Sequence, residues 1–274
     1  MSMLIFASPK GGVGKTTLSA HVAAMLAERG HQVLALDLDP QNSLRLHFGL
    51  PLADEEGLLA SLLRPGAPPW ERLLRRTSAG VDVLPHGTVS PMDALQLGQM
   101  LLQRPALLAN PVRDMLTRPG QILVVDTPPG PSSALCALLP LAKLLALVLL
   151  ADAASASLMP QLASGHFMGR GVLGARAAER AVLVLNQVDL DAPLPTAVLE
   201  TAERAMGDRL IGAISADPAV AEALADKRML LSGSRAAEDL HALAEAIVAR
   251  LALQHPTATL RTRNFAALYD WGLQ

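Results

Sequence analysis

The sequence predicts an α/β fold in which a doubly wound, mostly parallel sheet is flanked by helices. Short apolar runs of strand length alternate with longer helical patterns along the chain, which is the order that a parallel sheet requires. Hydrophobic residues make up 51% of the chain and aromatic residues only 3%. The core therefore consists mainly of Leu, Ala and Val, as in strands covered on both faces. A glycine-rich stretch between the first strand and the first helix completes the pattern.

The positions of the elements follow from the same patterns. Apolar runs place strands at residues 3–7, 33–36, 81–84, 122–125, 144–150 and 181–185. Helical periodicity places helices at residues 15–29, 92–103, 132–139, 196–206, 219–225 and 236–253. Residues 41–80 contain four prolines and are expected to form short helices joined by turns. We interpret this insert as a surface for switching or partner contact.

The length of 274 residues is enough for one large domain with a filled core. We predict that domain at residues 1–253, followed by a C-terminal aromatic tail at residues 254–274. In the tail, Phe265, Leu268 and Trp271 follow helical spacing. That spacing is compatible with a helix docked on its own domain and with an anchor for a membrane surface or a partner.

Charge and cysteine content exclude several classes of protein. The formal net charge is -2 and the sequence pI is about 6.4, so no net positive field attracts nucleic acid or an anionic bilayer. Cys136 is the single cysteine, which excludes an internal disulfide and a multi-cysteine metal site. The N-terminus lacks a signal-peptide pattern, so we expect a cytoplasmic chain. Pro140 and Lys143 divide the apolar residues 134–154 and favour a helix plus a strand over a membrane span.

The strongest chemical signal is the glycine-rich loop. It reads Lys10-Gly11-Gly12-Val13-Gly14-Lys15-Thr16-Thr17. Glycines let backbone N–H groups approach phosphate oxygens, and the following helix adds its positive end. Lys15 is then placed to neutralise β- and γ-phosphate charge, Thr16 to bind Mg²⁺ and Thr17 to contact the α-phosphate. Pro9 stands where the ordinary Walker A pattern has glycine, so the match is to a deviant form with a second lysine, Lys10.

Three carboxylates follow two of the predicted strands. Asp37 and Asp39 end the run at residues 33–36, and Asp126 ends the run at residues 122–125. Acids at the carboxyl ends of parallel strands face the crevice where ligands bind. Asp126 also fits the Walker B arrangement, which holds Mg²⁺ directly or through water. The sequence therefore predicts that all three acids lie beside the glycine-rich loop.

The deviant loop resembles the signature of the ParA/MinD-like ATPases, which belong to the SIMIBI class of P-loop NTPases. The resemblance implies a sandwich homodimer in which Lys10 reaches the nucleotide of the partner subunit, as an arginine finger does. It also implies that Asp37 supports the Mg²⁺ shell and that Asp39 positions the attacking water. Pro128-Pro129-Gly130 resembles switch II of the family, a turn that senses the γ-phosphate.

On the adenine side, Asn186 matches the family position that reads the base, and Asp217-Pro218 falls in the later adenine-side loop. An ordinary turn cap is the alternative for Asn186. The predicted catalytic residues are therefore Lys10, Lys15 and Asp39, and the predicted metal ligands are Thr16, Asp37 and Asp126. The predicted nucleotide contacts are Gly11, Gly12, Val13, Gly14, Lys15, Thr16, Thr17, Asn186, Asp217 and Pro218. ATP and Mg²⁺ are the implied cofactors.

Within the family the chain is most similar to the BcsQ type, the ATPase associated with bacterial cellulose synthase. The similarity lies in residues 42–48, 70, 75–78, 81–87 and 216–225. It implies a slow ATPase switch that assembles or regulates cellulose secretion at the inner face of the cytoplasmic membrane. Components of the cellulose synthase complex are then the expected partners. Peripheral membrane association is expected through those partners or through the tail.

Other members of the family stay open as alternatives. A partitioning ATPase needs a basic surface for DNA, and no Lys/Arg cluster near the C-terminus supplies one. A MinD-type positioning ATPase ends in a basic amphipathic helix, which residues 261–274 match only in part. Nitrogenase-reductase-like relatives need two cysteines per subunit, which the single cysteine excludes. A nucleotide-binding scaffold with little turnover is the third alternative, and the presence of Lys15, Thr16, Asp39 and Asp126 together argues against it.

Overall fold

The computed structural model describes residues 2–51 and 53–252. The predicted aromatic tail and its boundary after residue 253 lie outside the described residues. Within the described ranges, none of the helices has the length and apolar character needed to cross a bilayer. Residues 134–154 divide into a helix and a strand, as Pro140 and Lys143 predict.

The described residues form one eight-stranded sheet. Its strands are β1 (Ser2–Ala7), β2 (Gln32–Asp37), β3 (Arg75–Arg76), β4 (Val81–Leu84), β5 (Gln121–Asp126), β6 (Leu144–Leu150), β7 (Ala181–Val188) and β8 (Leu210–Ser215). The spatial order is β3-β4-β2-β5-β1-β6-β7-β8. Neighbouring strands run parallel except β3, which is antiparallel to β4. The predicted doubly wound, mostly parallel sheet is confirmed.

Helices connect the strands and cover the sheet. They are α1 (Lys15–Glu28), α2 (Leu44–His47), α3 (Leu58–Ser61), α4 (Pro91–Gln103), α5 (Ala106–Met115), α6 (Ser133–Leu138), α7 (Ala153–Ala156), α8 (Met159–Ala163), α9 (Val172–Arg180), α10 (Pro193–Met206), α11 (Pro218–Ala225) and α12 (Arg235–Leu251). Short 3-10 turns lie at residues 70–73, 139–141, 166–168 and 207–209. Each of the predicted helices is present, with ends that differ by three residues or fewer.

Both faces of the sheet are buried, which is why the strands read as continuous apolar runs. On β1, Leu4 and Phe6 pack with residues of α1 and α12, such as Leu18 and Leu240. The alternate residues of β1 point to the opposite face, where Ile5 joins residues of α4, α5 and α6. Side chains alternate across a strand, so each strand contributes to both cores.

Six elements were not predicted from the sequence: β3, β8, α5, α7, α8 and α9. In β8 only Ile214 is buried, so the strand lacks a strong apolar alternation. Helix α5 contains Pro111 in its interior, and α9 contains Gly174, and both residue types weaken a helical pattern. These elements form because neighbouring elements cover them, which local sequence does not reveal.

The insert at residues 41–80 is folded against the domain. The indole Nε1 of Trp70 donates to Asp114 Oδ2 at 2.8 Å, and the guanidinium of Arg118 lies 4.2 Å from the ring centroid. Arg75 Nη2 donates to Asp54 Oδ1 at 3.0 Å, which ties β3 to the chain that follows α2. The predicted short helices are confirmed, whereas the role in partner contact stays a prediction.

Candidate functional site

The loop between β1 and α1 has a conformation that depends on glycine. Gly12 and Gly14 have φ angles of 72° and 89°, which side chains other than glycine rarely adopt. A Cβ atom on Gly14 would lie 2.2 Å from Nδ2 of Asn186. The loop therefore cannot carry a side chain at this position without displacing its neighbour. Directly after it, Lys15 opens α1 and is buried, with 6% of its surface exposed.

Asn186, near the end of β7, lies against this loop. Its Nδ2 donates to the carbonyl of Val13 at 2.9 Å. The structure thus brings Asn186 to the predicted site but uses its amide N–H to hold the loop. The role in reading adenine stays a prediction, and it now falls on the remaining Oδ1.

Two buried carboxylates stand side by side below the loop. Asp37 of β2 and Asp126 of β5 are register partners and are fully buried. Thr16 Oγ1 donates to Asp126 Oδ2 at 2.6 Å, while Asp126 Oδ1 is buried without a partner. Burial raises the pKa of Asp126 to about 7, although the Thr16 hydrogen bond and the charge of Lys15 act in the opposite direction. Burial and the neighbouring Asp126 also raise the pKa of Asp37 well above its usual range.

The open oxygen of Asp126 distinguishes it from Asp37. Both oxygens of Asp37 already accept backbone N–H groups, from Asp39 at 2.9 Å and from Leu44 at 3.0 Å. Asp37 therefore shapes the turn from β2 into α2. Asp126 instead keeps one buried oxygen for a donor or a cation, and such an atom is costly to leave unmatched.

Asp39 stands at the rim of the same crevice. Its side chain is nearly buried, with 9% of the residue exposed. Oδ1 accepts the backbone N–H of Gln41 at 2.9 Å, and the backbone carbonyl accepts the N–H of Asn42 at 2.8 Å. These bonds form a tight turn and hold Oδ1 of the carboxylate.

Lys10 has a partner within its own chain. Its Nζ lies 3.1 Å and 3.3 Å from the two oxygens of Asp152 and 3.4 Å from Ser155 Oγ. Asp152 follows β6 and caps the short helix α7. Sequence reasoning missed Asp152, although it is an acid after a buried strand and obeys the rule that found Asp37 and Asp126.

The segment after β5 is tied to the start of the loop. Gly130 N donates to the Ser8 carbonyl at 2.8 Å, and Lys10 N donates to Ser8 Oγ at 3.1 Å. Thr127 Oγ1 donates to the Phe6 carbonyl at 2.7 Å. The segment that resembles switch II is thus joined to the start of the glycine-rich loop by hydrogen bonds.

Asp217 occupies a capping position. Its Oδ1 accepts the N–H of Ala219 at 2.9 Å, and its Oδ2 accepts the N–H of Ala236 at 3.4 Å. It therefore joins the beginnings of α11 and α12, and backbone hydrogen bonds lower its pKa. Contact with adenine by Asp217 and Pro218 stays a prediction.

No group of three or more His, Cys, Asp or Glu side chains that could hold a metal ion occurs at residues 2–51 or 53–252. In nucleotide sites Mg²⁺ is commonly bound by one or two protein oxygens together with substrate phosphates and water. Thr16 and Asp126 provide such oxygens beside the loop.

Comparison with known proteins places the chain in a family. The family model described as cellulose biosynthesis protein BcsQ matches residues 1–248. The chain belongs to this family. BcsQ-type chains are ParA/MinD-type P-loop ATPases, and the expected resemblance is confirmed.

Curated relatives match over shorter segments. The chromosome partitioning protein ParA of Caulobacter vibrioides is 29% identical over 135 residues, which cover 47% of this chain and 49% of ParA. The cellulose biosynthesis protein BcsQ of Salmonella typhi is 32% identical over 93 residues, which cover 34% of this chain and 36% of that protein. The chain spans about half the length, or less, of the curated relatives it matches.

Solved structures match over nearly the whole chain. The cell division ATPase MinD of Pyrococcus furiosus superimposes with a TM-score of 0.69 at 25% identity, covering 90% of this chain and 98% of that one. The septum site-determining protein MinD of Pyrococcus horikoshii, complexed with Mg-ADP, gives a TM-score of 0.68 at 21% identity, covering 90% and 95%. The MinD-like P-loop fold of this BcsQ-family chain is thereby established.

Proposed function

We propose that this chain is an ATP-dependent switch that binds ATP with Mg²⁺, dimerises around the nucleotide and hydrolyses it slowly. The observation that supports this most directly is the Asp126 carboxylate. It is fully buried, Thr16 occupies one oxygen, and the other oxygen has no partner. A buried acid of this kind is stabilised by a cation beside it. The glycine-rich loop and the buried Lys15 lie next to it, where a triphosphate fits.

Different residues are proposed to bind the phosphates, the Mg²⁺ ion and the attacking water. The backbone N–H groups of residues 11–14 and the amine of Lys15 hold the phosphates, and Thr17 contacts the α-phosphate. Thr16 and Asp126 would hold Mg²⁺, and Asp37 would support its water shell. When bound, Mg²⁺ supplies positive charge that offsets the charge of the β- and γ-phosphates. Asp39 orients the attacking water, and hydrolysis removes the γ-phosphate.

Lys10 acts on the partner subunit in this proposal. Its ion pair with Asp152 is partly exposed, with 29% and 39% of the two side chains accessible. Exposed pairs of this kind contribute only about 0–1 kcal/mol. The triphosphate of a second copy is a stronger anion, so dimerisation can draw Lys10 away from Asp152. The dimer would then be held by nucleotide shared between two chains.

The base is proposed to lie between Asn186 and the loop at Asp217-Pro218. Nδ2 of Asn186 already holds the Val13 carbonyl. Its Oδ1 is therefore the atom that accepts from the exocyclic amine of adenine. Asp217 contributes by fixing the loop before α11.

Two variants test the proposed switch. Lys10→Ala is expected to retain ATP binding but to lose ATP-dependent dimerisation, which light scattering measures. Asp39→Ala is expected to bind ATP and dimerise but to lose single-turnover hydrolysis. Normal dimerisation of Lys10→Ala would contradict the trans role. Equal, near-zero hydrolysis in wild type and Asp39→Ala would leave only a nucleotide-binding scaffold.

The cellular role is proposed from the family. We infer that the switch assembles or regulates the bacterial cellulose secretion machinery at the cytoplasmic membrane face, with cellulose synthase components as partners. Association with the membrane would be peripheral, through those partners or through residues 254–274. Deletion of the gene in its host should abolish or reduce secreted cellulose, and Lys15→Ala should fail to restore it. Unchanged cellulose in the deletion strain would refute this role.

A partitioning or positioning ATPase is the second candidate, because the ParA relative of Caulobacter vibrioides matches over 135 residues. Binding to DNA driven by phosphate contacts weakens steeply with salt. ATP-dependent, salt-sensitive DNA binding by the purified chain would favour this candidate, and its absence would favour the cellulose role.

A further inference from the structure

A buried histidine beside Asp39 has no role in the proposed function so far. His86 follows β4 and is completely buried. Strands β2 and β4 are parallel neighbours with Leu36 opposite Leu84. Two residues beyond each member of this pair lie Leu38 and His86, so His86 stands at the same edge of the sheet as Asp39.

The imidazole has one used and one unused nitrogen. Nδ1 lies 2.8 Å from the carbonyl of Gly87. A carbonyl only accepts, so Nδ1 carries the proton of the neutral ring. Nε2 is therefore a bare acceptor, and it is buried without a partner. Burial lowers the pKa of His86, whereas the hydrogen bond to Gly87 and the charge of Asp39 act in the opposite direction.

The backbone around His86 is held firmly by the insert. Leu58 N donates to the Pro85 carbonyl at 2.8 Å, and Ala60 N donates to the His86 carbonyl at 3.0 Å. The insert passes so close to residues 85–87 that a Cβ atom on Gly57 would lie 2.1 Å from Gly87 N. These contacts restrain the backbone of residues 85–87, and the bond from Nδ1 to Gly87 orients the ring.

A second polar side chain near Asp39 also lacks partners. Asn42 is buried, and both atoms of its side-chain amide have no hydrogen bond. Its backbone N–H bonds to the Asp39 carbonyl. Buried polar groups without protein partners are the usual ligands of internal water. Nε2 of His86 is thus an unused acceptor at the sheet edge where Asp39 lies, and the Asn42 amide is an unused donor three residues after Asp39.

We propose that His86 is a positioning residue for Asp39. A water molecule donates one hydrogen bond to Nε2 of His86 and one to the carboxylate of Asp39, and so holds the carboxylate in the direction needed to orient the attacking water. This inference rests on the proposed role of Asp39 in hydrolysis. It adds a residue that follows β4, and through it the insert at residues 41–80, to the groups that control hydrolysis.

Two substitutions separate the functions of the two ring nitrogens. His86→Asn keeps an amide where Nδ1 lies and removes the group at Nε2. His86→Gln keeps a polar atom near Nε2 and loses the bond to Gly87. We expect His86→Asn to lower kcat on the order of tenfold, the rate equivalent of one hydrogen bond to a charged group. KM for ATP, the Kd for ADP and Tm should stay near wild type, and His86→Gln should retain most of the rate.

The control is His241→Asn. His241 Nε2 also bonds to a backbone carbonyl, that of Leu231 at 2.7 Å. It contacts Arg29 just after α1, at the opposite end of that helix from the glycine-rich loop. We expect this variant to change kcat by less than about twofold, as do most substitutions away from a site.

The outcomes distinguish this inference from the proposed function. If Asp39→Asn keeps the wild-type rate, the role of Asp39 is wrong. If Asp39→Asn is slow but His86→Gln loses as much rate as His86→Asn, or if the rate simply follows Tm, the role of His86 is wrong. Should His86→Asn fail to fold, the ¹⁵N shift of His86 Nε2 in the full-length protein decides. It should move when Asp39→Asn is introduced, and an unchanged shift overturns the inference.

Discussion

Replacing Asp126 by Asn should stabilise the nucleotide-free protein while removing its response to magnesium. The carboxylate is fully buried, and one of its oxygens has no partner. Burial raises its pKa from the ordinary value of 3.8 to about 7. The folded state therefore penalises the charged form, and the penalty disappears when the group is neutral.

The size of the effect follows from that pKa. A rise from 3.8 to about 7 corresponds to about 4 kcal/mol of lost stability at high pH. Asn removes this penalty but leaves an amide group imperfectly paired, which costs about 1–3 kcal/mol. The net gain above pH 7 is about 2 kcal/mol, or roughly 4–8 °C in Tm for a domain of this size.

The direction of the pKa shift determines whether the stability of wild type rises or falls with pH. Below pH 3.8 the Asp126 carboxyl is protonated in both the folded and the unfolded state, so it does not lower the free energy of unfolding. The cost grows as pH rises from about 4 to 7 and is complete above pH 7. Wild type should thus lose stability across this window relative to Asp126→Asn.

Calorimetry of the protein free of nucleotide and metal, from pH 4 to 8, measures the difference. Addition of ADP with Mg²⁺ should raise the Tm of wild type much more than that of Asp126→Asn. Asp226→Asn is the control, because 65% of the Asp226 side chain is exposed and its loss should leave the pH profile unchanged. If Asp126→Asn is less stable than wild type at pH 8, with the same pH profile, the reasoning from burial is refuted.

Three further substitutions test other contacts. Gly14→Ala places a Cβ atom only 2.2 Å from the Asn186 amide at a residue whose φ is 89°. The affinity for nucleotide, measured by calorimetry, should therefore fall at least tenfold, and an unchanged affinity would show that the loop adapts. Asp152→Asn frees Lys10 from its ion pair, so light scattering should detect ATP-dependent dimers at a lower protein concentration than for wild type. Weaker dimerisation would instead assign Asp152 to the dimer interface. Gly57→Ala forces the insert away from residues 85–87, which follow β4, so Tm should drop by several degrees. A wild-type Tm would refute this close approach.

Much of the fold could be predicted because its signals are local. The continuous apolar runs of β1, β5 and β6 follow from burial on both faces. The glycine-rich loop needs positive φ angles, so its glycines are visible in the sequence. In contrast, β8 is covered on one side by α12, where Gly212 meets Leu243, and a strand of this kind gives a weak pattern by itself.

The candidate site was predicted only in part, because some of its contacts join segments that are distant in the sequence. Asp37, Asp39 and Asp126 were found because acids stand out after apolar strands. Asp152 obeys the same rule, but nothing local indicates that Lys10 is its partner 142 residues away. His86 has an ordinary local context, and its unpaired nitrogen becomes visible only when β4 lies beside β2.

The amino-acid sequence by itself determined the parallel sheet, the glycine-rich loop and the family. Each of these depends on local features of the sequence, namely the positions of glycines and the apolar runs of buried strands. Tertiary structure alone decided which buried polar atoms are satisfied. It gave both oxygens of Asp37 to backbone N–H groups and left one oxygen of Asp126 and one nitrogen of His86 without a partner. Hydrogen bonds between distant segments depend on how strands are ordered in space, and that order is a property of the packed chain.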